Sequence, residues 1–315
     1  MTRALVAGVA GFLGSNLARE LLNRNIKVVG LDNYASSGQH NLESLVGAPN
    51  FKFIQASVDS ELKTLVPEPL DYIFHLASPA SPPKYQKLGL ETIRANTTGT
   101  ENLARLAIAN SARLLFFSTS EVYGDPLQNP QTEDYWGNVN PIGPRSVYDE
   151  SKRLGETIVF HLIRTEALNA GVIRIFNTYG PGMDPWDGRV VSTFIRQALL
   201  GEPLTVFGDG QQTRSFCYVD DLVEGIIKMA FSKERGPINL GNPVENTILE
   251  LGAVISKHQG GELRLLNTQL PVDDPKQRCP DISKAKSLLA WEPRTNLEEG
   301  IAHTVDWMKG RLFAK

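Results

Sequence analysis

A tyrosine and a lysine four residues apart are the first side chains in this sequence with a recognisable chemical use. Tyr148 and Lys152, in the segment Tyr-Asp-Glu-Ser-Lys, would lie one turn apart on the same face of a helix. The ammonium could then lower the pKa of the phenol, ordinarily about 10, so that Tyr148 could serve as a base. The same spacing also occurs in ordinary surface pairs, so other residues must decide between the two interpretations.

A hydroxyl and a carboxylate follow an apolar segment that reads as a strand. Residues 113–118 run into Thr119-Ser120-Glu121-Val122-Tyr123-Gly124. Ligands of open parallel sheets bind at the C-terminal ends of the strands. Thr119 could therefore hydrogen-bond a substrate hydroxyl while Tyr148 removes its proton, and Glu121 is available for acid-base or orienting work.

Three spaced glycines near the N-terminus indicate a dinucleotide site. Gly8, Gly11 and Gly14 stand between an apolar segment at residues 4–7 and a predicted helix, and Asp32 ends the next apolar segment, 18 residues after Gly14. Such glycines let the backbone approach a pyrophosphate at a helix N-terminus. A carboxylate at the second strand end accepts hydrogen bonds from ribose hydroxyls and repels a 2′-phosphate, which favours NAD over NADP.

The elements that must position these residues alternate between strand and helix. The first 120 residues give a βαβ rhythm, which predicts an α/β fold with a doubly wound parallel sheet (Rossmann). Clusters of proline and glycine after residue 174 predict a smaller mixed α/β region that binds substrate. We therefore expect an NAD-binding domain at residues 1–175, with returning segments from about 212–240, and a mainly substrate-binding domain at residues 176–315.

Together these motifs resemble the extended short-chain dehydrogenase/reductase superfamily over essentially the whole chain. Longer segments are similar to the UDP-glucuronate decarboxylase (UDP-xylose synthase) family: HLASPASPPKYQ (75–86), the stretch from TSEVYG to YDESK (119–152), RIFNTYGP (174–181), DGRVVSTFI (187–195), GEPLTVFGDGQQTRSFCYVDDLVEG (201–225) and DDPKQRCPDISKAKSLLAWEP (273–293).

The resemblance implies a lyase that recycles its NAD. In that family C4 of the glucuronate is oxidised, the resulting β-keto acid loses carbon dioxide, C5 is protonated and the hydride returns to C4, giving UDP-xylose. It implies that Tyr148 is the C4 base and later acid, that Lys152 is its pKa partner and a ligand of the nicotinamide ribose, and that Thr119 pairs with the hydroxyl. Glu121 and Arg278 match positions used around decarboxylation and protonation.

The resemblance also implies that the domain at residues 176–315 mainly binds the nucleotide sugar, and it implies two sets of binding residues. The cofactor contacts are expected at Gly8, Gly11, Phe12, Leu13, Gly14, Asp32, Asn33, Ser57, Val58, Leu76, Ala77, Ser78, Tyr148 and Lys152. The substrate contacts are expected at Tyr85, Asn177, Val191, Thr205, Phe207, Arg214 and Arg278. Tyr85 lies in a segment, residues 79–85, that reads as an irregular loop able to close over substrate.

The chain departs from the family pattern at three positions. Ser57 stands where an aspartate commonly contacts the adenine amino group, Gly182 where an arginine is usual, and Cys279 where a basic residue is common. Fewer cations near the cleft would weaken the grip on an anionic sugar.

Two other functions fit parts of the pattern. A UDP-sugar 4-epimerase, acting on UDP-glucuronate or a neutral UDP-hexose, would share the fold, NAD and the 4-keto intermediate. A non-catalytic dinucleotide sensor would share only the scaffold, and the retained Tyr148, Lys152, Thr119 and Glu121 argue against it. A 4,6-dehydratase would carry an aspartate where Ser120 stands.

Composition and net charge limit the classes of partner that this protein is expected to bind. The net charge of −3 and the lack of long like-charge runs argue against nucleic acids, and the lack of 18 consecutive apolar residues argues against a membrane span. Two unclustered cysteines and no visible ligand set predict a cytoplasmic protein without a metal. The predicted helices at residues 90–109 and 147–163 carry more apolar residues than one packed face needs, and in the superfamily they pair into a four-helix bundle, so a homodimer is expected.

Overall fold

A seven-stranded parallel sheet organises the computed structural model, which describes residues 2–66, 69–260, 263–269 and 277–313. The strands are β1 Arg3–Ala7, β2 Lys27–Asp32, β3 Phe51–Gln55, β4 Tyr72–His75, β5 Arg113–Thr119, β6 Ala170–Ile175, β7 Thr178–Tyr179, β8 Leu204–Phe207, β9 Thr213–Ser215, β10 Cys217–Tyr218, β11 Ile238–Leu240, β12 Glu245–Thr247 and β13 Leu265–Thr268. The sheet order is β11-β6-β5-β4-β1-β2-β3, and every neighbouring pair is parallel. The doubly wound fold is thereby confirmed.

The helices connect these strands and build most of the C-terminal region. They are α1 Phe12–Asn23, α2 Leu62–Leu65, α3 Pro82–Lys87, α4 Gly89–Asn96, α5 Thr98–Asn110, α6 Ser146–Thr165, α7 Val190–Leu200, α8 Val219–Phe231, α9 Ile248–His258, α10 Ser283–Leu289 and α11 Leu297–Phe313. Short 3-10 turns lie at Gln39–Leu42 and Ser120–Tyr123. Beside the main sheet, β7 pairs with β10, β8 with β13, and β9 with β12.

Alternate residues of the central strands face two separate apolar cores. Ala4 and Val6 of β1 pack in a core with α1 and α8, while Leu5 and Ala7 pack on the other face with α5 and α6. All seven residues of β5 are buried, as expected for a central strand covered on both faces. Burying each large aliphatic side chain contributes about 1.5–3 kcal/mol, so the sheet is a rigid base for its strand ends.

A region that was predicted as one helix forms two helices. The pattern at residues 90–109 predicted a single helix, but α4 ends and α5 begins around Thr97, whose φ and ψ are −114° and −78°. Thr97, Thr98 and Gly99 are weak helix formers, which gives the break a local cause. Gly99 also lets α5 approach Val58, because an added Cβ would lie 2.5 Å from Val58 Cγ2.

Candidate active site

A cavity of about 800 Å³ opens at the C-terminal ends of β1, β2, β4 and β5. Every site residue predicted from the sequence lines it, namely Gly8, Gly11, Phe12, Leu13, Gly14, Asp32, Asn33, Ser57, Val58, Leu76, Ala77, Ser78, Tyr85, Thr119, Glu121, Tyr148, Lys152, Asn177, Val191, Thr205, Phe207, Arg214 and Arg278. The fold therefore brings both predicted sets of residues to one place.

The glycine loop between β1 and α1 has no room for side chains. Gly8 has a φ of +87°, and an added Cβ would lie 2.7 Å from the backbone of Leu76 and Ala77. A Cβ on Gly14 would lie 2.1 Å from the carbonyl oxygen of Gly8. This close turn leads straight into the N-terminus of α1, the arrangement that accepts a pyrophosphate.

Asp32 stands beside that loop with its carboxylate held from three sides. Its Oδ2 accepts a hydrogen bond from the backbone N–H of Ala10 at 3.0 Å, and its Oδ1 accepts from the N–H of Tyr34 at 2.8 Å and the hydroxyl of Ser37 at 3.2 Å. Burial raises the pKa of Asp32, although these hydrogen bonds oppose the rise. Glycine cradle and carboxylate together fit a dinucleotide of the NAD type.

The next wall of the cavity comes from the loops after β2 and β3. Asn33 donates a hydrogen bond from Nδ2 to Ser57 Oγ at 3.3 Å. Ser57, which replaces the usual aspartate, is therefore bonded to a side chain from the loop after β2. Val58 is buried beside it. These side chains would face the adenine end of a dinucleotide.

Tyr148 and Lys152 lie in the first two turns of α6, as their spacing predicted, and both are buried. Lys152 Nζ donates to the carbonyl oxygen of Phe117 at 2.7 Å and lies 5.8 Å from the centre of the Tyr148 ring. The side chain of Thr119 faces the phenol of Tyr148 and lowers its pKa. The three groups thus meet at the end of β5.

Their pKa values differ from the expectation in one respect. Burial lowers the pKa of Lys152 to about 7. Burial also raises the pKa of Tyr148, as does the nearby charge of Glu121, while Thr119 lowers it. In the protein alone the pKa of the phenol is thus raised, because desolvation dominates. A depression that needs Lys152 and an oxidised nicotinamide together stays a prediction.

Glu121 is the centre of a buried ion cluster. Its two carboxylate oxygens accept hydrogen bonds from Arg278, at 2.8 Å from Nη1 and 2.9 Å from Nη2, and Oε2 also accepts from Arg145 Nη2 at 2.8 Å. Burial pushes the pKa of Glu121 upward, but the two guanidiniums outweigh it, and the charge of Arg214 adds to their effect, so the net shift is downward. The cluster thus places guanidinium donors at the wall of the cavity, where they could also bind a carboxylate or a diphosphate.

Arg145 is the functional candidate that the sequence interpretation missed. It is the N-cap residue of α6, three positions before Tyr148, so both lie on the face that meets the sheet end. The spacing of three residues between Arg145 and Tyr148 could therefore have identified Arg145 from the sequence. Arg189, which also lines the cavity, was missed because only the tertiary fold brings it near Tyr148.

Tyr85 is a second aromatic wall of the site. Its ring stacks on that of Tyr148 with centroids 5.1 Å apart and planes 5° apart, and its buried hydroxyl has no hydrogen-bond partner in the described part of the chain. The expectation of an irregular loop is wrong here, because Tyr85 belongs to α3. Pro82 and Pro83 occupy the first helical positions, where proline is well tolerated.

The remaining predicted substrate residues come from the C-terminal region. Thr205 is fixed by the side-chain amide of Gln197, which donates to its hydroxyl at 2.7 Å and accepts from its N–H at 3.0 Å. Phe207 is 43% exposed, so one ring face is open to the cavity or to solvent. Val191 is buried in the first turn of α7, and the backbone of Asn177 accepts a hydrogen bond from the N–H of Cys217.

Gly182 and Cys279, two of the positions that depart from the family pattern, each contact a backbone or side-chain group nearby. Gly182 has a φ of +97°, and its carbonyl oxygen accepts a hydrogen bond from Asn41 Nδ2 at 3.0 Å. Cys279 is buried, with its sulfur 3.4 Å from the carbonyl oxygen of Pro243, and burial raises the pKa of its thiol to about 11. Neither position supplies a cation to the cavity.

The described ranges lack two further features. No group of three or more His, Cys, Asp and Glu side chains is arranged there to hold a metal ion. None of the described helices combines the length and the apolar character that crossing a membrane requires.

Comparison with known proteins places these features in a family. Residues 4–241 match the model of the NAD dependent epimerase/dehydratase family. The chain is 49% identical to UDP-glucuronic acid decarboxylase 6 of Arabidopsis thaliana, over 95% of this chain and 86% of the relative. It is 47% identical to UDP-glucuronic acid decarboxylase 1 of Xenopus tropicalis, over 98% and 73%.

Solved structures agree with this assignment at the level of the fold. The UDP-glucuronic acid 4-epimerase of Bacillus cereus, in complex with UDP-glucuronic acid and NAD, superposes with a TM-score of 0.89 at 29% identity, over 99% of this chain and all of the other. The UDP-glucose 4-epimerase of Thermotoga maritima gives 0.89 at 28% identity, over the same shares. The chain belongs to the NAD dependent epimerase/dehydratase family and, within it, to the UDP-glucuronic acid decarboxylases.

Proposed function

We propose that this protein decarboxylates UDP-glucuronate to UDP-xylose and recycles its NAD within each turnover. The observation that carries the proposal is the presence of two chemical groups in one cavity. Tyr148 with Thr119 suits proton transfer at a sugar hydroxyl, and Glu121 between Arg278 and Arg145 suits a carboxylate substrate. Identity of 47–49% to UDP-glucuronic acid decarboxylases supports the same reaction.

The first role belongs to Tyr148 and Thr119. Thr119 orients the C4 hydroxyl, and Tyr148 accepts its proton as C4 becomes a ketone. A bound NAD would supply the hydride acceptor for C4 and, when oxidised, a positive charge that favours the phenolate. Gly8, Gly11 and Gly14 would hold its pyrophosphate, Asp32 its adenosine ribose and Lys152 its nicotinamide ribose.

The second role belongs to the cluster around Glu121. Once C4 is a ketone, the C5–C6 bond breaks, carbon dioxide leaves, and the electron pair moves onto the C4 oxygen as an enolate. Arg278 and Arg145 stabilise that negative charge, and C5 takes its proton from a solvent water that the ionised Glu121 orients. Tyr148 finally returns its proton to the C4 oxygen when the hydroxyl is restored.

The test incubates the purified protein with NAD and UDP-glucuronate and follows carbon dioxide and the mass of the nucleotide sugar. Decarboxylation to UDP-xylose predicts one carbon dioxide for each sugar converted and no net reduction of NAD. A sugar of unchanged mass and altered configuration would mean a 4-epimerase, as the solved relatives from Bacillus cereus and Thermotoga maritima are.

We also propose that the protein is a homodimer. Leu90 on α4 is 65% exposed, Ile93 on the same helix 37%, and Leu154 on α6 49%. These three residues make an apolar face on two neighbouring helices, which a second copy could cover across a two-fold axis. The molar mass in solution, measured by light scattering, tests this state.

Its site of action is proposed to be the cytoplasm. Cys217 and Cys279 are both free thiols in the structure, which suits a reducing compartment. The domain division near residue 175 likewise stays a proposal. It is supported by the return of β11 to the sheet edge beside β6.

A further inference from the structure

The turn after β7 is tied to α3 at the edge of the cavity. Lys84 Nζ lies 3.0 Å from Asp184 Oδ2 and 3.8 Å from Asp187 Oδ1, so one ammonium joins segments 100 residues apart in sequence. All three residues line the cavity, and the side chains of Lys84 and Asp184 are 28% and 34% exposed. The ion pair therefore stands where the cavity meets solvent.

Beside this ion pair, Gly188 of the turn also lies against the ring of Pro83 in α3. Gly188 has a φ of +84°, and an added Cβ would lie 3.0 Å from Pro83 Cγ, so the turn packs directly on the first residues of α3. The turn itself is held in shape, because Asp184 Oδ1 accepts a hydrogen bond from the N–H of Trp186 and Asp187 is paired with Arg189. Lys84 thus joins a well-formed turn to a short helix.

That helix also carries the ring stacked on Tyr148. Tyr85 follows Lys84 directly, is 1% exposed, and lies parallel to Tyr148. Movement of α3 away from the turn would separate these rings and open the cavity beside Tyr148. Lys84 is a positioning residue in this arrangement, since it acts on the reacting groups only through α3.

We propose that Lys84, Asp184 and Asp187 form a latch that retains the 4-keto intermediate until the C4 hydroxyl is restored. The proposal rests on the proposed function. After carbon dioxide has left, the sugar is an uncharged ketone that the arginines around Glu121 hold less well, so closure must retain it. An escaped intermediate would appear as a UDP-4-keto-pentose. The hydride from C4 would stay on the nicotinamide, so each escape leaves one reduced cofactor.

The test measures how each turnover ends in the Lys84→Met protein, which keeps the length of the side chain and loses the charge. NAD and UDP-glucuronate are supplied, and UDP-xylose, UDP-4-keto-pentose and reduced nicotinamide are quantified together. We expect the fraction ending as UDP-4-keto-pentose to rise at least about threefold, in keeping with the strength of a partly exposed ion pair. Reduced nicotinamide should rise in equal amount.

Three variants separate the latch from a general loss of structure. Lys84→Arg should restore the wild-type ratio. Asp184→Asn keeps the acceptor for the N–H of Trp186 and removes a charge, so it should shift the ratio in the same direction as Lys84→Met. It applies the same test if Lys84→Met does not fold. Lys87→Met changes an exposed lysine of the same helix and should leave the ratio unchanged.

Two results would overturn the proposal in different ways. If Lys84→Met and Asp184→Asn turn over more slowly with an unchanged product ratio, Lys84 has a structural role only. If the wild-type protein releases no carbon dioxide from UDP-glucuronate, the proposed function fails and the latch fails with it.

Discussion

At the residue scale, the burial of Tyr148 opposes the ionised state that its proposed role as a base requires. Its phenol is buried, which raises its pKa, and the neighbouring charge of Glu121 adds to the rise. Lys152, the cation one turn away, donates to a backbone carbonyl and has its own pKa lowered to about 7. The site of the protein alone therefore favours the neutral phenol, so the proposed role of Tyr148 as a base requires a further positive charge beside it.

Removing the hydroxyl of Tyr148 tests its role as base. Tyr148→Phe keeps the ring stacked on Tyr85 and should lower kcat about 10²–10⁴-fold, the usual contribution of a general acid-base group, with little change in melting temperature. Steady-state rates of carbon dioxide release check this. Tyr85→Phe is the matched control and should lower kcat less than about tenfold. Equal losses in both variants would mean that Tyr148 is not the base.

Asp149 gives a prediction about stability. It is 6% exposed, faces the charges of Glu121, Arg145, Arg278 and Glu150, and one of its carboxylate oxygens has no hydrogen-bond partner among the described residues. Burial, then the charge of Glu121, raises its pKa to about 8. The folded state thus holds a proton that the unfolded state, with a pKa of 3.8, has lost. Between pH 3.8 and a pH of about 8, the free energy of unfolding therefore falls as pH rises.

Asp149→Asn should remove that pH dependence. The variant carries no titrating group, so its melting temperature should exceed that of the wild type by about 3 °C or more at pH of about 8, and by less at pH of about 5. Calorimetry at the two pH values gives the comparison. A gain that is equal at both pH values would contradict the assignment of the raised pKa to Asp149.

At the scale of elements, the junction between β1 and α1 depends on one glycine more than on the others. A Cβ on Gly14 would lie 2.1 Å from the backbone oxygen of Gly8, which cannot move without disturbing the loop. Gly14→Ala should therefore weaken NAD binding at least about tenfold, a cost of about 1.4 kcal/mol. Titration calorimetry with NAD measures it.

Gly310 offers the control for that substitution. It lies in α11 with nothing within 4 Å of an added Cβ, so Gly310→Ala should leave NAD binding unchanged and stabilise the helix by about 0.5–1 kcal/mol. Unchanged NAD affinity in Gly14→Ala would mean that the glycine loop does not hold the cofactor.

The elements that could be predicted from the sequence are those with strong local patterns. The buried segment of β5 and the glycine turn after β1 have such patterns, and both form as expected. The helix α3 was missed, because two prolines and a serine read as a loop when only composition is considered. The break at Thr97 was missed although its weak helix formers gave a signal.

The site was predictable wherever a motif fixed the spacing. Tyr148, Lys152 and Asp32 belong to motifs that specify neighbours along the chain, so their common position follows from the fold. The contact of Glu121 with Arg278 joins residues 157 apart, and only the resemblance brought Arg278 into the prediction. The stacking of Tyr85 on Tyr148 could not be derived, because it depends on how α3 packs.

At the scale of the whole molecule, two asparagines join the cofactor loop to the C-terminal region. Asn16 Nδ2 donates at 2.9 Å to the carbonyl oxygens of both Phe12 and Pro181. Asn41 Nδ2 donates to Ala10 at 3.2 Å and to Gly182 at 3.0 Å. Each amide thus shares one donor group between the glycine loop and the turn after β7, so ordering one segment should favour order in the other.

These shared hydrogen bonds predict coupled binding of the two ligands. With UDP as the probe for the substrate side, saturating UDP should tighten NAD binding about fivefold, and saturating NAD should tighten UDP binding by the same factor, because coupling free energies are reciprocal. Calorimetric titrations of each ligand with and without the other measure both factors. Asn41→Asp removes the hydrogen-bond donor while keeping the side-chain shape, so it should bring both factors close to one. The control is Asn140→Asp, the same change at an exposed asparagine away from the cavity, which should leave both factors unaltered. If NAD and UDP bind the wild type independently, the asparagine contacts hold the two regions together without linking their ligands.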